Sequence, residues 1–222
     1  MPTDLHTTTT GTGPTVLFVH GLDSTGDVWS PTIALLDDHT CVAVDLPGHG
    51  DTPGSTDPAD YTREAVLRDL DEIIAGLDGP VVLVGHSLGG YLGMAHALTR
   101  PGKLAALVLV ATGPGFRDPD AREAWNTRVR ESAPDYAIPE IAASIAFHTD
   151  SMMIDRLTEL TLPIALVIGD GDRAYLGAND YMEKKLPHAV RTTVDNARHY
   201  LMRSHPEAVV AAVRSLTGLD RS

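Results

Sequence analysis

The chain has 222 residues, 43% hydrophobic and 21% charged, a balance that suits one soluble globular domain with a full core. Its formal net charge of -13 excludes nucleic acid and anionic membrane as partners, since both need clustered Lys and Arg. The single cysteine, Cys41, excludes an intrachain disulfide, and no run approaches the length needed to span a membrane.

In chain order, the opening stretch MPTDLHTTTTGTG lacks a cationic segment followed by an apolar one. It is read as an N-terminal tail over residues 1–13, not a signal peptide, and the cytoplasm is the expected location. Short Val-, Ile- and Leu-rich strands are expected at Thr15–His20, Cys41–Leu46, Val81–Val84, Leu104–Ala111, Leu162–Ile168 and Val190–Val194. Several are apolar at consecutive positions, the pattern of strands buried on both faces of a parallel sheet. Cys41 lies inside one of them and reads as a small buried hydrophobe. Helical patterns fall between the strands. Tyr61–Leu77 gathers Val66, Leu70, Ile73, Ile74 and Leu77 on one face. Ser204-His205-Pro206-Glu207 reads as a capping box opening a last helix through Ala208, Val209, Val210 and Val213. The alternation predicts an α/β fold, one domain over residues 14–222, with helices on both faces of a mostly parallel sheet of about six strands. Residues 113–160 interrupt it with helical pieces at Ala121–Arg130, Pro139–Phe147 and Ser151–Leu160. This insertion is longer than an ordinary connection and is expected to form a short helical lid, with the last piece packing as a normal crossover.

The stretch Pro80–Gly90, PVVLVGHSLGG, is a strand, a sharp turn and a helix start with Ser87 at the turn. Gly85 and Gly89 flank Ser87 where strand and helix backbones crowd and a Cβ would clash. A serine so held is exposed and aimed, which a weak nucleophile requires. Together His20-Gly21-Leu22, Asp45-Leu46-Pro47-Gly48-His49-Gly50 and Gly85-His86-Ser87-Leu88-Gly89-Gly90 resemble the α/β-hydrolase superfamily, and its lidded, esterase-like branch in particular. The resemblance runs from Pro14 to Leu216.

The resemblance implies a Ser-His-Asp hydrolase with nucleophile, acid and histidine in that chain order. The acid is expected at Asp172, with Asp170 as the alternative. The histidine is expected at His199, with Arg198 standing where the family usually has glycine. Backbone amides of Leu22 and Leu88 are expected to form the oxyanion hole. His20 and His86 are read as orienting loops through ring hydrogen bonds. Asp45, Gly48 and Gly50 are read as shaping a loop. Trp125, Tyr136, Phe147, Met152 and Met153 in the insertion are candidate contacts for an apolar substrate.

The family's N-terminal hairpin is expected to be reduced or missing, which places Thr15–His20 near a sheet edge. No zinc spacing, dinucleotide fingerprint or P-loop occurs, so neither a metal nor a cofactor is expected. The expected partner is a small-molecule ester. Lactone hydrolysis, C–C bond hydrolysis, perhydrolysis and acyl transfer would use the same residues. A non-catalytic small-molecule receptor on this scaffold is the alternative of another class.

Overall fold

The computed structural model describes residues 5–100 and 102–218. Seven strands form one sheet: β1 Thr7–Thr10, β2 Thr15–Val19, β3 Thr40–Val44, β4 Val81–His86, β5 Leu104–Val110, β6 Ile164–Gly169 and β7 Val190–Val194. Their order across the sheet is β1-β3-β2-β4-β5-β6-β7. The six strands from β2 onward pair in parallel, and β1 alone is antiparallel, with Thr7 opposite Val44 and Thr10 opposite Cys41.

β1 departs from the sequence expectation, which leaves these threonines in a tail and β2 near an edge. All four β1 residues are exposed, so no buried apolar pattern announces the strand. It forms because the outer edge of β3 presents unpaired backbone groups and β-branched Thr suits an extended chain. β2 therefore sits two strands in from that edge.

The helices are α1 Ser30–Ile33, α2 Arg63–Gly76, α3 Leu88–Thr99, α4 Pro119–Ser132, α5 Met152–Arg156, α6 Leu176–Lys185, α7 Leu201–Ser204 and α8 Pro206–Thr217. Successive side chains of a strand point to opposite faces, so the consecutive apolar residues of the central strands feed two cores. Leu17, Val19, Leu83, Leu107, Leu109 and Leu166 pack with α2, α3 and α6 on one face. Val16, Phe18, Val82, Val84, Val108 and Val167 pack with Trp29, α7 and α8 on the other. Cys41 belongs to the second core, and burial pushes its thiol up to about 11, leaving it inert.

Two helix starts illustrate how local sequence and packing divide the work. Thr62 caps α2 by accepting from the Ala65 amide at 3.3 Å. The expected capping box at Ser204 does not form. Ser204 instead ends α7, with its hydroxyl 2.8 Å from His205 Nδ1, and α8 starts at Pro206 without a side-chain cap. Leu201 and Met202 pull α7 into the second core, and that burial decides where the chain turns. Among the described residues, no helix is long and apolar enough to cross a membrane.

Leu83 is fully buried at the centre of β4. Leu83→Ala is expected to lower unfolding stability by about 2–5 kcal/mol in urea titration. Leu35→Ala, at a side chain 44% exposed, should stay within about 0.5 kcal/mol of the parent.

Candidate active site

Ser87 stands between β4 and α3 with φ 50 and ψ -113, a conformation strained for any residue but glycine. Three backbone hydrogen bonds hold it there. Its N–H donates to the Val110 carbonyl of β5 at 2.9 Å, and its carbonyl accepts from the Tyr91 N–H at 3.1 Å and from the Thr112 hydroxyl at 2.6 Å. The flanking glycines answer a steric need. A Cβ on Gly85 would lie 2.5 Å from the backbone of Gly89 and Gly90. A Cβ on Gly89 would run into the carbonyl oxygens of Val19 and His20. Glycine is the residue that lets strand and helix close to this distance.

The loop after β2 reaches the serine by the same means. A Cβ on Gly21 would sit 3.2 Å from Ser87 Cβ and 2.7 Å from His86 Nδ1. His20 fixes this loop. Its Nδ1–H donates to the Gly21 carbonyl at 2.7 Å, and its Nε2 accepts from the Leu46 N–H at 3.0 Å. Leu22 follows directly, and Leu88 follows Ser87 as the first residue of α3. Asp45 organises the neighbouring loop, accepting from the Gly26 amide at 2.6 Å and the Asp51 amide at 3.0 Å.

The loops after β6 and β7 meet beside Ser87. Gly171 N–H donates to the Ala197 carbonyl at 2.9 Å, which joins the two loops. Asp172, 5% exposed, then accepts from His199 Nδ1–H at 2.8 Å. Asp170 is exposed, and its amide is bonded to the Val194 carbonyl at 3.0 Å. Of the two candidate acids, Asp172 is therefore the one beside the imidazole. Arg198 is exposed, and its stem passes over Gly171. His86 donates from Nε2 to the His199 carbonyl at 3.0 Å, with the two rings 4.6 Å apart. His86 thus supports His199 from below, and burial holds its pKa far below the ordinary value.

The Ser87 hydroxyl has its hydrogen-bond contact with Tyr175, at 3.4 Å, rather than with His199. The Tyr175 ring stacks on the His199 imidazole, centroids 4.9 Å apart and planes 17° from parallel. Burial raises the Tyr175 pKa, so the phenol stays neutral.

A cavity of about 410 Å³ opens on Ser87 and Leu88. One wall is α4, which contributes Ala121, Ala124, Trp125 and Arg128, spaced as one helical face. The far end is aromatic. His148 meets Tyr91, Phe116 and Trp125 edge-on at 4.7, 5.4 and 5.7 Å. Burial lowers the His148 pKa to about 4, so this ring is a neutral wall. Behind it, Arg63 donates to the Tyr91 hydroxyl at 3.1 Å and clamps Asp150 at 2.6 and 3.0 Å.

Of the five insertion residues expected to touch substrate, only Trp125 lines this cavity. Tyr136, Phe147, Met152 and Met153 lie outside its lining. Met153 is 1% exposed and belongs to the main core, against which Tyr136, Phe147 and Met152 also pack. Phe147 lies under the Arg130 guanidinium, 5.2 Å from its centroid. Their apolar character serves to attach the insertion to the domain. Sequence reasoning missed Tyr91, Phe116, His148 and Tyr175. Tyr91 had a readable signal, since it lies four residues after Ser87 and so on the same side of α3.

A model of the alpha/beta hydrolase family matches residues 16–212. The chain is 36% identical over 139 residues to the lipase LipV of Mycobacterium tuberculosis, a match covering 61% of this chain and 51% of the lipase. It is 33% identical over 165 residues to a pimeloyl-[acyl-carrier protein] methyl ester esterase of Pseudoalteromonas atlantica, covering 70% of this chain and 62% of that enzyme. These matches thus span about half to three-fifths of the two relatives' lengths. Among solved structures, a malate-bound thermophilic esterase from Thermogutta terrifontis superposes with a TM-score of 0.83 at 26% identity, covering 95% of this chain and 92% of that one.

The buried histidines make stability fall on the acid side. The His20 pKa is lowered to about 4, first by burial and then by the nearby His49 ring. Above pH 6.5 neither folded nor unfolded His20 carries a proton, so nothing is lost. Below it the unfolded chain binds a proton that the folded ring refuses, until the pH reaches about 4. His20 alone should therefore remove about 1.4 kcal/mol of stability per pH unit across that window, and His148 acts in the same direction. Urea titrations at about pH 7.5, 6, 5 and 4.5 check this; a stability flat across them would contradict it.

Proposed function

Because the chain belongs to the alpha/beta hydrolase family, we propose that it hydrolyses a carboxylic ester of a small or medium apolar substrate through an acyl-enzyme on Ser87. His199 takes the Ser87 hydroxyl proton, and Oγ attacks the ester carbonyl. The oxyanion is held by the backbone N–H groups of Leu22 and Leu88. The alcohol leaves with the proton from His199, and a water activated by the same imidazole releases the acid. Asp172 holds the Nδ1–H tautomer and stabilises the imidazolium.

The single observation that carries this reading is the 2.8 Å His199–Asp172 hydrogen bond, beside a serine held at φ 50. A residue in such a conformation is kept there at a cost of about 1–3 kcal/mol, which points to use. The cavity supports an apolar acyl or alcohol group. Its lining has no carboxylate, and most of its side chains are alanine or aromatic. The similar lipase and esterases support ester chemistry. Residues 113–160 act as the lid, with α4 covering the cavity and the α5 segment anchoring it.

Hydrolysis of short p-nitrophenyl esters tests the reading. Ser87→Ala should lower kcat/KM by at least about 10³-fold, and an unchanged rate would refute it. A fluorophosphonate probe should label the wild type at Ser87, whereas a receptor without catalysis would stay unlabelled. Asp172→Asn should cost about 10³- to 10⁴-fold, while Asp170→Asn should stay within about 3-fold. Equal losses at the two aspartates would overturn the assignment of the acid.

A further inference from the structure

We propose that Tyr175 is a catalytic residue whose phenol donates a hydrogen bond to the leaving-group oxygen of a substrate bound at Ser87. This rests on the ester-hydrolase reading above and adds a group to it.

The sheet order sets the direction from which Tyr175 arrives. β4, which carries Ser87, has β2 on one side and β5, β6 and β7 on the other. Leu22 follows β2, whereas Tyr175 follows β6 and His199 follows β7. Leu22 and Tyr175 therefore approach the serine from opposite flanks. The flank shared by Tyr175 and His199 is the one from which a leaving group must be protonated, because His199 delivers that proton.

Distance and state agree with the role. The Tyr175 hydroxyl is 3.4 Å from Ser87 Oγ and lines the cavity. The carbon that Oγ attacks carries the leaving oxygen as a direct substituent, so that atom comes within reach of the phenol. A catalytic hydrogen bond is often long in an unliganded site and tightens with substrate. Burial raises the Tyr175 pKa, keeping the hydroxyl protonated and able to donate. The near-parallel stack on His199 fixes the phenol ring against the face of the imidazole. Among the described residues, Ser87 is the only hydrogen-bond contact of this hydroxyl. Packing alone does not ask for it, since phenylalanine fills nearly the same volume.

The step balances without new reagents. The Ser87 proton passes to His199 Nε2 as the O–C bond forms. The tetrahedral intermediate collapses, the C–O bond to the alcohol breaks, and His199 returns the proton to the departing oxygen. Tyr175 keeps its own proton throughout and only stabilises negative charge building on that oxygen.

The test compares an ethyl ester and a p-nitrophenyl ester of the same acid, using wild type and Tyr175→Phe. The alkoxide depends on hydrogen bonding to leave, and p-nitrophenolate does so far less. Tyr175→Phe should lower kcat/KM for the ethyl ester about 10- to 100-fold and for the p-nitrophenyl ester by less than about 3-fold. The urea midpoint of Tyr175→Phe should stay near the wild-type value, which shows that the variant keeps its fold. Equal losses on both esters, or no loss on either, would overturn the role of Tyr175 while leaving the esterase reading intact. A wild type that neither labels nor cleaves either ester would overturn both.

Discussion

The strained backbone of Ser87 is the constraint around which the molecule is arranged. Its conformation at φ 50 is not one a serine adopts freely, so its neighbours must impose it. They do so with bonds from three elements: Val110 on β5, Thr112 beyond it and Tyr91 on α3. The close approach of β4 and α3 then demands glycine at positions 85 and 89, and the approach of the β2 loop demands it at 21. A glycine pattern that looks like a motif is the list of places where a Cβ would strike backbone or the Ser87 turn.

Buried neutral histidines hold the surrounding loops. His20 bridges the Gly21 carbonyl and the Leu46 amide, and His86 carries the backbone of His199. An imidazole serves at His20 because one ring nitrogen can donate while the other accepts, provided the ring is uncharged. Burial secures that neutrality, and it also makes the site's geometry dependent on pH. The carboxylate of Asp172 is likewise inside, reached through a Gly169–Asp172 turn stitched to the Ala197 carbonyl. Precision at His199 thus comes from two loops that brace each other.

The insertion divides its apolar residues between two tasks. α4 turns Ala121, Ala124 and Trp125 to the cavity, with small residues leaving room where Trp125 fills it. Met153, Leu157 and Leu160 are buried in the main core and attach the segment to the domain. The aromatic end of the cavity rests on Tyr91, whose hydroxyl is tied to the Arg63–Asp150 pair. That pair links α2 to the insertion, so the wall of the cavity is continuous with the body of the fold.

The sequence by itself determined the alternation of strands and helices, because consecutive apolar runs and amphipathic helical spacing are local signals. It also determined the serine turn, because crowding at a strand-to-helix bend restricts the residues on either side of it. Chain order and the family resemblance pointed to Asp172 and His199 at strand ends, and the folded loops bring Asp172, rather than exposed Asp170, against the imidazole. The β1 strand needed the tertiary structure, since four exposed threonines carry no burial pattern and pair only because β3 offers an edge. Of the insertion residues that face the cavity, the sequence singled out Trp125 but could not separate it from residues of the core. Trp125 and Met153 are equally apolar, and direction, not hydrophobicity, separates a pocket wall from a core. Tyr175 was invisible for the same reason: its meaning lies in a 3.4 Å approach to Ser87 from a loop 88 residues away, which no local pattern encodes.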